Sequence, residues 1–109
     1  MLLFAYGSLQ LDTVQLANFG RLLEGAPDFA PGYRLSTIMI DDPAVVAASG
    51  SAEHRIIAAS GDPRDEVAGT VFEIGAAELA AADAYEVADY TRVEITLRSG
   101  RAAWAYVQA

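Results

Sequence analysis

The chain has 109 residues, 53% of them hydrophobic, and it contains no cysteine. This length suits one domain with its own core, so we predict a single domain over residues 1–109 and exclude a disordered chain. The formal net charge is −8 and every basic residue is arginine. Such a balance repels nucleic-acid backbones and anionic membranes. The absence of cysteine excludes thiolate nucleophiles and disulfide frameworks, and the absence of lysine excludes Schiff-base lysines.

The first half of the chain reads as strands around one helix. Residues 1–6 are apolar on both faces, which predicts a buried strand. The later predictions, from spacing, branching and turn residues, are a helix over 11–23 broken at Gly20, a strand over 32–40, a turn over 41–43 and a short strand over 44–48.

The second half adds strands and an alanine-rich helix. The predicted elements are a loop over 49–53, a strand over 55–59, a loop over 60–65, a strand over 66–74, a helix over 76–85, a strand over 90–97, a hairpin turn at 99–100 and a strand over 102–107. Glu78 lies in the first turn of the helix over 76–85, where the helix dipole favours it, and we expect it to face solvent.

This order of elements predicts an α+β fold with two short helices. Closure of the strands into a small mixed β-barrel would remove exposed sheet edges. The strands over 1–5 and 67–74 should be interior, because apolar and β-branched residues dominate both.

The opening apolar run of residues 1–6 is too short to cross a bilayer, and no basic segment precedes it. We therefore expect no membrane association and no signal peptide, and the absence of cysteine fits a cytoplasmic protein. The single histidine, His54, has no second histidine or cysteine to complete a metal site, so we expect none.

Two short segments suggest chemistry. The first strand stops at Gly7 within Tyr6–Leu9, a tight turn whose backbone N–H groups can hold a carboxylate or an oxyanion. Glu86 follows the helix over 76–85, where the dipole disfavours a negative charge, and its neighbours are apolar and aromatic. Burial there would raise its pKa into the range of a general acid/base.

Seven short motifs follow one another over essentially the whole chain: Tyr6-Gly7-Ser8-Leu9, Pro31-Gly32-Tyr33-Arg34-Leu35, Asp42-Pro43-Ala44-Val45-Val46, Val67-Ala68-Gly69-Thr70-Val71-Phe72, Asp83-Ala84-Tyr85-Glu86, Tyr90-Thr91-Arg92 and Trp104-Ala105-Tyr106-Val107. In this order they resemble the gamma-glutamylcyclotransferase-like family. The resemblance implies a mixed barrel with short helices beside it, and an enzyme that releases 5-oxoproline from gamma-glutamyl amides without a cofactor.

The resemblance also implies roles for individual residues. Glu86 would be the catalytic acid/base, and Tyr6, Gly7, Ser8 and Leu9 would bind the gamma-glutamyl group. Tyr90 is either a packed ring or a border of the binding pocket. Val87 stands where the family usually has glycine, so the backbone after Glu86 should differ from the family's left-handed turn.

Other interpretations stay open. A non-catalytic small-molecule-binding domain on the same fold is the main alternative to the enzyme. An acyl hydrolase using Ser8 and His54 is disfavoured, because His54 is predicted to lie in a loop that has no catalytic counterpart in the family. Arg92 is expected in an ion pair, and Trp104 and Tyr106 in the core. The substrate is a small gamma-glutamyl compound whose amine no motif identifies.

Overall fold

The computed structural model describes all 109 residues. Its strands are β1 (Leu2–Ala5), β2 (Gly25–Pro31), β3 (Tyr33–Met39), β4 (Glu53–Ala59), β5 (Glu66–Glu73), β6 (Tyr90–Thr96) and β7 (Ala102–Gln108). The helices are α1 (Asp12–Phe19), α2 (Pro43–Ser49) and α3 (Ala76–Tyr85), and a single 3₁₀ turn spans Ser8–Gln10. The predicted α+β class is confirmed.

Five strands form one sheet in the order β2-β5-β1-β7-β6, and β3 and β4 form a separate antiparallel pair. Strand β1 pairs antiparallel with β5 and parallel with β7. The two strands expected to be interior, β1 and β5, both have neighbours on each side. Because β1 and β7 are parallel, their carboxyl ends meet at one edge of the sheet.

The alternation of β1 places its side chains in two different cores. Leu3 and Ala5 pack among residues from the three helices, whereas Phe4 and Tyr6 pack among residues of the sheet's other face and Ile57 of β4. Helices therefore cover one face of the sheet, and the antiparallel pair of β3 and β4 lies against the other. This double burial explains why residues 1–6 are apolar without alternation.

The expected closure into a barrel is wrong. The two edge strands of the five-stranded sheet, β2 and β6, do not pair; the segment after β6 is joined to β2 where the backbone N–H of Arg98 donates to the carbonyl oxygen of Phe29 at 2.9 Å. Asp28 reinforces this point by accepting from the hydroxyl of Ser99 at 2.5 Å. No ladder of pairs continues from there, and the remaining strands pair with each other instead.

Strand β2 has no counterpart among the sequence predictions. Its sequence, Gly25–Pro31, contains two prolines and an aspartate, residues that are rare in strands. An edge position tolerates them, because only one side of an edge strand must supply backbone donors. The register to β5 over its whole length, from Gly25 opposite Phe72 to Pro31 opposite Glu66, is what makes this segment a strand.

The predicted turn over 41–43 and strand over 44–48 form helix α2 instead. Asp42 is the N-cap, and its carboxylate accepts from the backbone N–H of Ala44 at 2.9 Å. Pro43 occupies the first helical position and Gly50, with φ of 75°, ends the helix. These are standard helix boundary signals, and they outweigh the β-branched pair in the middle.

The other helices match their predictions more closely. Helix α3 has the predicted bounds, and α1 ends at the left-handed Gly20, with φ of 68°, where a break was expected. The structure thus has three helices where two were predicted. None of them combines the length and apolar character that crossing a membrane requires.

Candidate active site

A cleft lies at the edge of the sheet where β1 and β7 end. Its walls come from the end of β1, the turn that follows, β4, β7 and the residues after α3. The lining residues are Phe4, Ala5, Tyr6, Gly7, Ser8, Leu9, Arg55, Glu86, Tyr90 and Tyr106. All six residues proposed from the sequence for catalysis or binding are among them.

The turn over Tyr6–Leu9 offers unpaired backbone donors to this cleft. Gly7 is the N-cap of the 3₁₀ turn, with φ of −134° and ψ of −136°. Its backbone N–H has no acceptor within the chain. The N–H groups that begin a helical turn have no intrahelical acceptor either, so an anion is their natural partner. A Cβ at Gly7 would meet the Cβ and the carbonyl oxygen of Arg55, at 3.6 and 4.0 Å, which are ordinary contact distances, so the protein's own packing does not require glycine there.

The Ser8 hydroxyl is fixed by two neighbours. It lies 2.8 Å from the hydroxyl of Tyr85 and 3.4 Å from Nδ1 of His54. The other ring nitrogen of His54 lies 2.9 Å from the Ser49 hydroxyl and 3.1 Å from the carbonyl oxygen of Ser51. The sequence suggested that His54 lies in a loop. The structure instead places it in strand β4, with its side chain buried. No carboxylate contacts its ring, so these residues do not form a Ser-His-Asp triad.

Glu86 follows the last residue of α3 and turns away from the helix, with φ of −70° and ψ of 134°. Its backbone N–H still donates to the carbonyl of Ala82 at 3.0 Å, but its carboxylate has no hydrogen bond and no ion pair. Every fully enclosed side-chain nitrogen or oxygen in the structure has a partner. The carboxylate oxygens of Glu86 therefore open into the cleft.

Three tyrosines surround Glu86, yet each donates its hydroxyl hydrogen elsewhere. Tyr6 donates to the carbonyl of Tyr106 at 2.6 Å, and Tyr90 donates to the carbonyl of Arg55 at 2.6 Å. Tyr106 donates to Oδ1 of Asp83 at 2.7 Å. Burial, with a further contribution from the charge of Glu86, raises the pKa of all three phenols, so they stay neutral.

These surroundings set the proton affinity of the carboxyl group. Burial without a compensating partner raises the pKa of Glu86 to about 8, from an ordinary value of 4.5. A carboxyl group in this range can both accept and release a proton near neutral pH, which is the property of a general acid/base.

Val87 adopts no left-handed conformation. No residue other than glycine has a positive φ, and a turn closes from the carbonyl of Val87 to the backbone N–H of Tyr90 at 3.0 Å. The side chain of Val87 packs on the core beneath the helices. A β-branched residue is therefore accommodated after Glu86 without backbone strain.

Arg55 also lines the cleft, although no sequence motif pointed to it. Its Nη1 lies 3.5 Å from the carbonyl oxygen of Tyr6, and its guanidinium forms no ion pair. The sequence signal was weak, because an arginine in a polar stretch is usually solvated surface. Only the pairing of β3 with β4 and the packing of β4 bring it to the turn after β1.

The remaining aromatic and charged residues at the end of the chain have structural roles. Arg92 forms the expected ion pair, with Asp83 at 2.9 Å, and its guanidinium also lies over the ring of Trp104 at 4.4 Å. Tyr106 is buried and Trp104 is partly buried against the same core. Tyr106 thus forms part of the wall of the cleft, and Trp104 packs on the core behind it.

The fold places the protein in a class already known from solved structures. A structure titled gamma-glutamyl cyclotransferase matches with a TM-score of 0.75 and 18% identity, covering 100% of this chain and 66% of that one. The solution structure of an Arabidopsis thaliana protein matches with a TM-score of 0.73 and 23% identity, covering 98% of this chain and 61% of that one. The chain thus spans about two thirds of the length of these proteins.

A family model described as gamma-glutamyl cyclotransferase, AIG2-like, matches residues 3–109. The chain therefore belongs to this family. None of the curated protein sequences matches it at a significant level.

Proposed function

We propose that this protein is a cyclotransferase that converts the gamma-glutamyl group of a gamma-glutamyl amine or amino acid to 5-oxoproline and releases the amine. One observation carries the proposal: the carboxylate of Glu86, with a pKa raised to about 8, has no partner and opens into the cleft that the Tyr6–Leu9 turn borders. Membership of the family supports the same reaction class.

The substrate supplies its own nucleophile in this reaction. The α-amino nitrogen attacks the γ-carbonyl carbon, which forms the ring C–N bond, and the amide C–N bond to the leaving amine then breaks. A cleft that folds the substrate so that these atoms meet contributes through proximity. No covalent intermediate with the protein is needed.

Glu86 would carry the proton between the two nitrogens. As a carboxylate it accepts a proton from the α-ammonium group, and as a carboxylic acid it donates that proton to the departing nitrogen. The α-ammonium group of a gamma-glutamyl compound adjoins a free carboxylate, so its pKa lies above the value of about 8 for a peptide α-amino group. Because burial raises the pKa of Glu86 to about 8, the first transfer is far less uphill than transfer to an ordinary carboxylate would be.

The Tyr6–Leu9 turn would hold the gamma-glutamyl group and the oxygen that becomes negative when the γ-carbonyl is attacked. Unpaired N–H groups at Gly7 and at the start of the 3₁₀ turn suit that oxyanion. Tyr6 contributes its ring and backbone, because its hydroxyl is already bound to Tyr106. Tyr90 borders the cleft beside Glu86.

The test is release of 5-oxoproline from a panel of gamma-glutamyl compounds, measured by chromatography and mass spectrometry. We expect turnover of at least one member without any added cofactor. Binding of these compounds without turnover would overturn the enzyme and favour a non-catalytic binding domain on this fold. If the compounds neither bind nor react, both the enzyme and the binding-domain alternative are overturned.

A further inference from the structure

The hydroxyl of Tyr106 has two carboxyl groups nearby and binds only one of them. It donates to Oδ1 of Asp83 at 2.7 Å and forms no hydrogen bond with Glu86, although Glu86 and Tyr106 line the same cleft. Asp83 and Glu86 are one helical turn apart at the end of α3, and positions so spaced are neighbours on a helix surface. Burial, the hydrogen bond to Asp83 and the charges of both carboxylates raise the pKa of the Tyr106 phenol, so Glu86 is close enough to act on it.

A second donor holds Asp83 in place. Nε of Arg92 lies 2.9 Å from Oδ1, the same Asp83 oxygen that accepts from Tyr106. Arg92 of β6 and Tyr106 of β7 are directly opposite each other in the register of the two strands, so they approach the carboxylate from one face of the sheet. The guanidinium of Arg92 also lies over the ring of Trp104, at 4.4 Å. A cation and a phenol on the sheet therefore hold one carboxylate of α3.

We propose that Asp83 is a positioning residue, which holds the hydroxyl of Tyr106 away from Glu86 and so leaves the Glu86 carboxylate without a hydrogen-bond donor. It deepens the proposed function and depends on the role given there to Glu86. A phenol released from Asp83 would be a buried donor in need of an acceptor, and Glu86 is the neighbouring group that can accept. A hydrogen bond to the ionised form of a carboxyl group lowers its pKa, and Glu86 would then hold a proton less well at neutral pH.

The other phenols of the cleft cannot be released in this way. Besides Tyr106, the titratable and charged side chains that line the cleft with Glu86 are Tyr6, Tyr90 and Arg55. The hydroxyls of Tyr6 and Tyr90 donate to backbone carbonyl groups, which no side-chain substitution removes. Tyr106 is therefore the phenol of this cleft whose acceptor is a side chain.

The remaining groups near Glu86 do not bind its carboxylate either. Arg55 forms no ion pair, and burial alone raises the pKa of Glu86 to about 8. At the end of α3, the hydroxyl of Tyr85 is paired with that of Ser8 at 2.8 Å. The hydrogen bond between Tyr106 and Asp83 is thus the contact to change.

The experiment follows the side-chain carboxyl carbon of Glu86 by NMR between pH 5 and 10, a measurement that does not require turnover. Asp83→Ala removes the acceptor and should lower the titration midpoint of Glu86 by about one pH unit, which is about a tenfold loss of proton affinity. Asp83→Asn keeps a carbonyl oxygen that can accept from Tyr106, so its midpoint should stay close to that of the wild type. Both variants leave Arg92 without its ion pair, so the comparison isolates the hydrogen bond.

A double variant identifies the donor. Tyr106→Phe in the Asp83→Ala background removes the released hydroxyl, so the midpoint of Glu86 should return to the wild-type value. In the 5-oxoproline assay, the acid limb of kcat/KM should move with the midpoint in each variant. A purely structural tie between α3 and the sheet would change stability without moving either quantity.

Equal shifts in Asp83→Ala and Asp83→Asn would overturn the proposal, because the charge of Asp83 would then be what acts on Glu86. An unchanged midpoint in Asp83→Ala, or a shift that Tyr106→Phe does not reverse, would overturn it as well. The Asp83 side chain is 41% exposed, so its truncation leaves no cavity in the core.

If Asp83→Ala nevertheless fails to fold, Tyr106→Phe alone provides the test. Because the hydroxyl of Tyr106 does not bind Glu86 in the wild type, its removal should leave the midpoint unchanged, and a rise would contradict the proposal. The expected shifts without any release of 5-oxoproline would overturn the cyclotransferase and leave the control of Glu86 by Asp83 intact.

Discussion

Helix α3 has a glutamate at each end, and the structure treats the two in opposite ways. Glu78, in the first turn, forms two hydrogen bonds with the guanidinium of Arg21, at 2.7 and 2.8 Å, and accepts from the backbone N–H of Gly75 at 3.0 Å. These contacts, above all those with Arg21, lower its pKa to about 2. Glu86, just past the other end, has no partner, and burial raises its pKa to about 8.

The comparison separates a structural carboxylate from a reactive one. Glu78 is stabilised as an anion by a cation, a backbone donor and the helix dipole, so it stays ionised and caps the helix. Glu86 has none of these, and the three tyrosine hydroxyls of the same cleft are bound to other acceptors. Two identical side chains on one helix thus differ in proton affinity because their partners differ.

The largest effect should come from Glu86→Gln. The amide keeps the size and hydrogen-bonding capacity of the side chain but cannot transfer a proton at neutral pH. We expect turnover to fall by about a hundredfold to ten-thousandfold, with little change in substrate affinity, in the 5-oxoproline assay.

Glu94→Gln is the matched control for that variant. Glu94 is exposed on β6 and forms no hydrogen bond or ion pair through its side chain. Glu78 cannot serve this purpose, because it is not the solvent-facing residue that its sequence position suggested. Full activity in Glu86→Gln would mean that the proton travels by another route.

The second effect concerns pH. If Glu86 must be ionised to accept the first proton, kcat/KM should fall about tenfold per pH unit below its pKa of about 8. Steady-state kinetics between pH 5.5 and 9 would show this limb. A profile that stays flat from pH 6 to 8 would contradict the assignment, because a carboxyl group of ordinary pKa is already ionised there.

The third effect should appear in stability, with opposite signs at the two ends of α3. Between pH 4.5 and 8 the folded state keeps a proton on Glu86 that the unfolded state has lost, so Glu86 destabilises the fold increasingly as pH rises through this window. Glu86→Gln should therefore increase the free energy of unfolding at pH 7 by roughly 3 kcal/mol, and by less near pH 5.

Glu78→Ala should do the reverse, lowering the free energy of unfolding at pH 7 by about 1 kcal/mol through loss of the cap and the ion pair. Because the folded-state pKa of Glu78 is lowered, its contribution is present above pH 4.5 and is lost as pH falls towards 2. Urea denaturation at pH 5 and pH 7 would measure both variants. Changes of the same sign in the two would contradict the comparison.

The sequence predicted the two elements that lead into the cleft, β1 and α3, better than it predicted β2 and α2. Strand β1 and helix α3 were found because their local patterns agree with their tertiary settings, and both lead directly into the cleft. The strand β2, with its prolines, was missed because only its pairing with β5 makes it a strand. Helix α2 was taken for a strand because the valine pair was given more weight than Asp42, Pro43 and Gly50.

The contacts across the cleft were beyond sequence reasoning. Arg55 and His54 reach the turn after β1 only through the packing of the β3–β4 pair, and these contacts join residues 46 to 49 positions apart in the sequence. The ion pair of Glu78 with Arg21 likewise joins segments 57 positions apart. The barrel was predicted because closure removes edges, whereas the chain meets that need partly with prolines at the edge.

The central claim is that Glu86 is an unpartnered carboxyl group whose proton affinity has been raised by burial. It is tested most directly by following the side-chain carboxyl carbons of the glutamates by NMR from pH 4 to 10, with the Glu86→Gln variant to assign the signal. The account predicts that the Glu86 signal titrates with a midpoint near 8, while the Glu78 signal is still that of an ionised carboxylate at pH 4. A midpoint near 4.5 for Glu86 would contradict it.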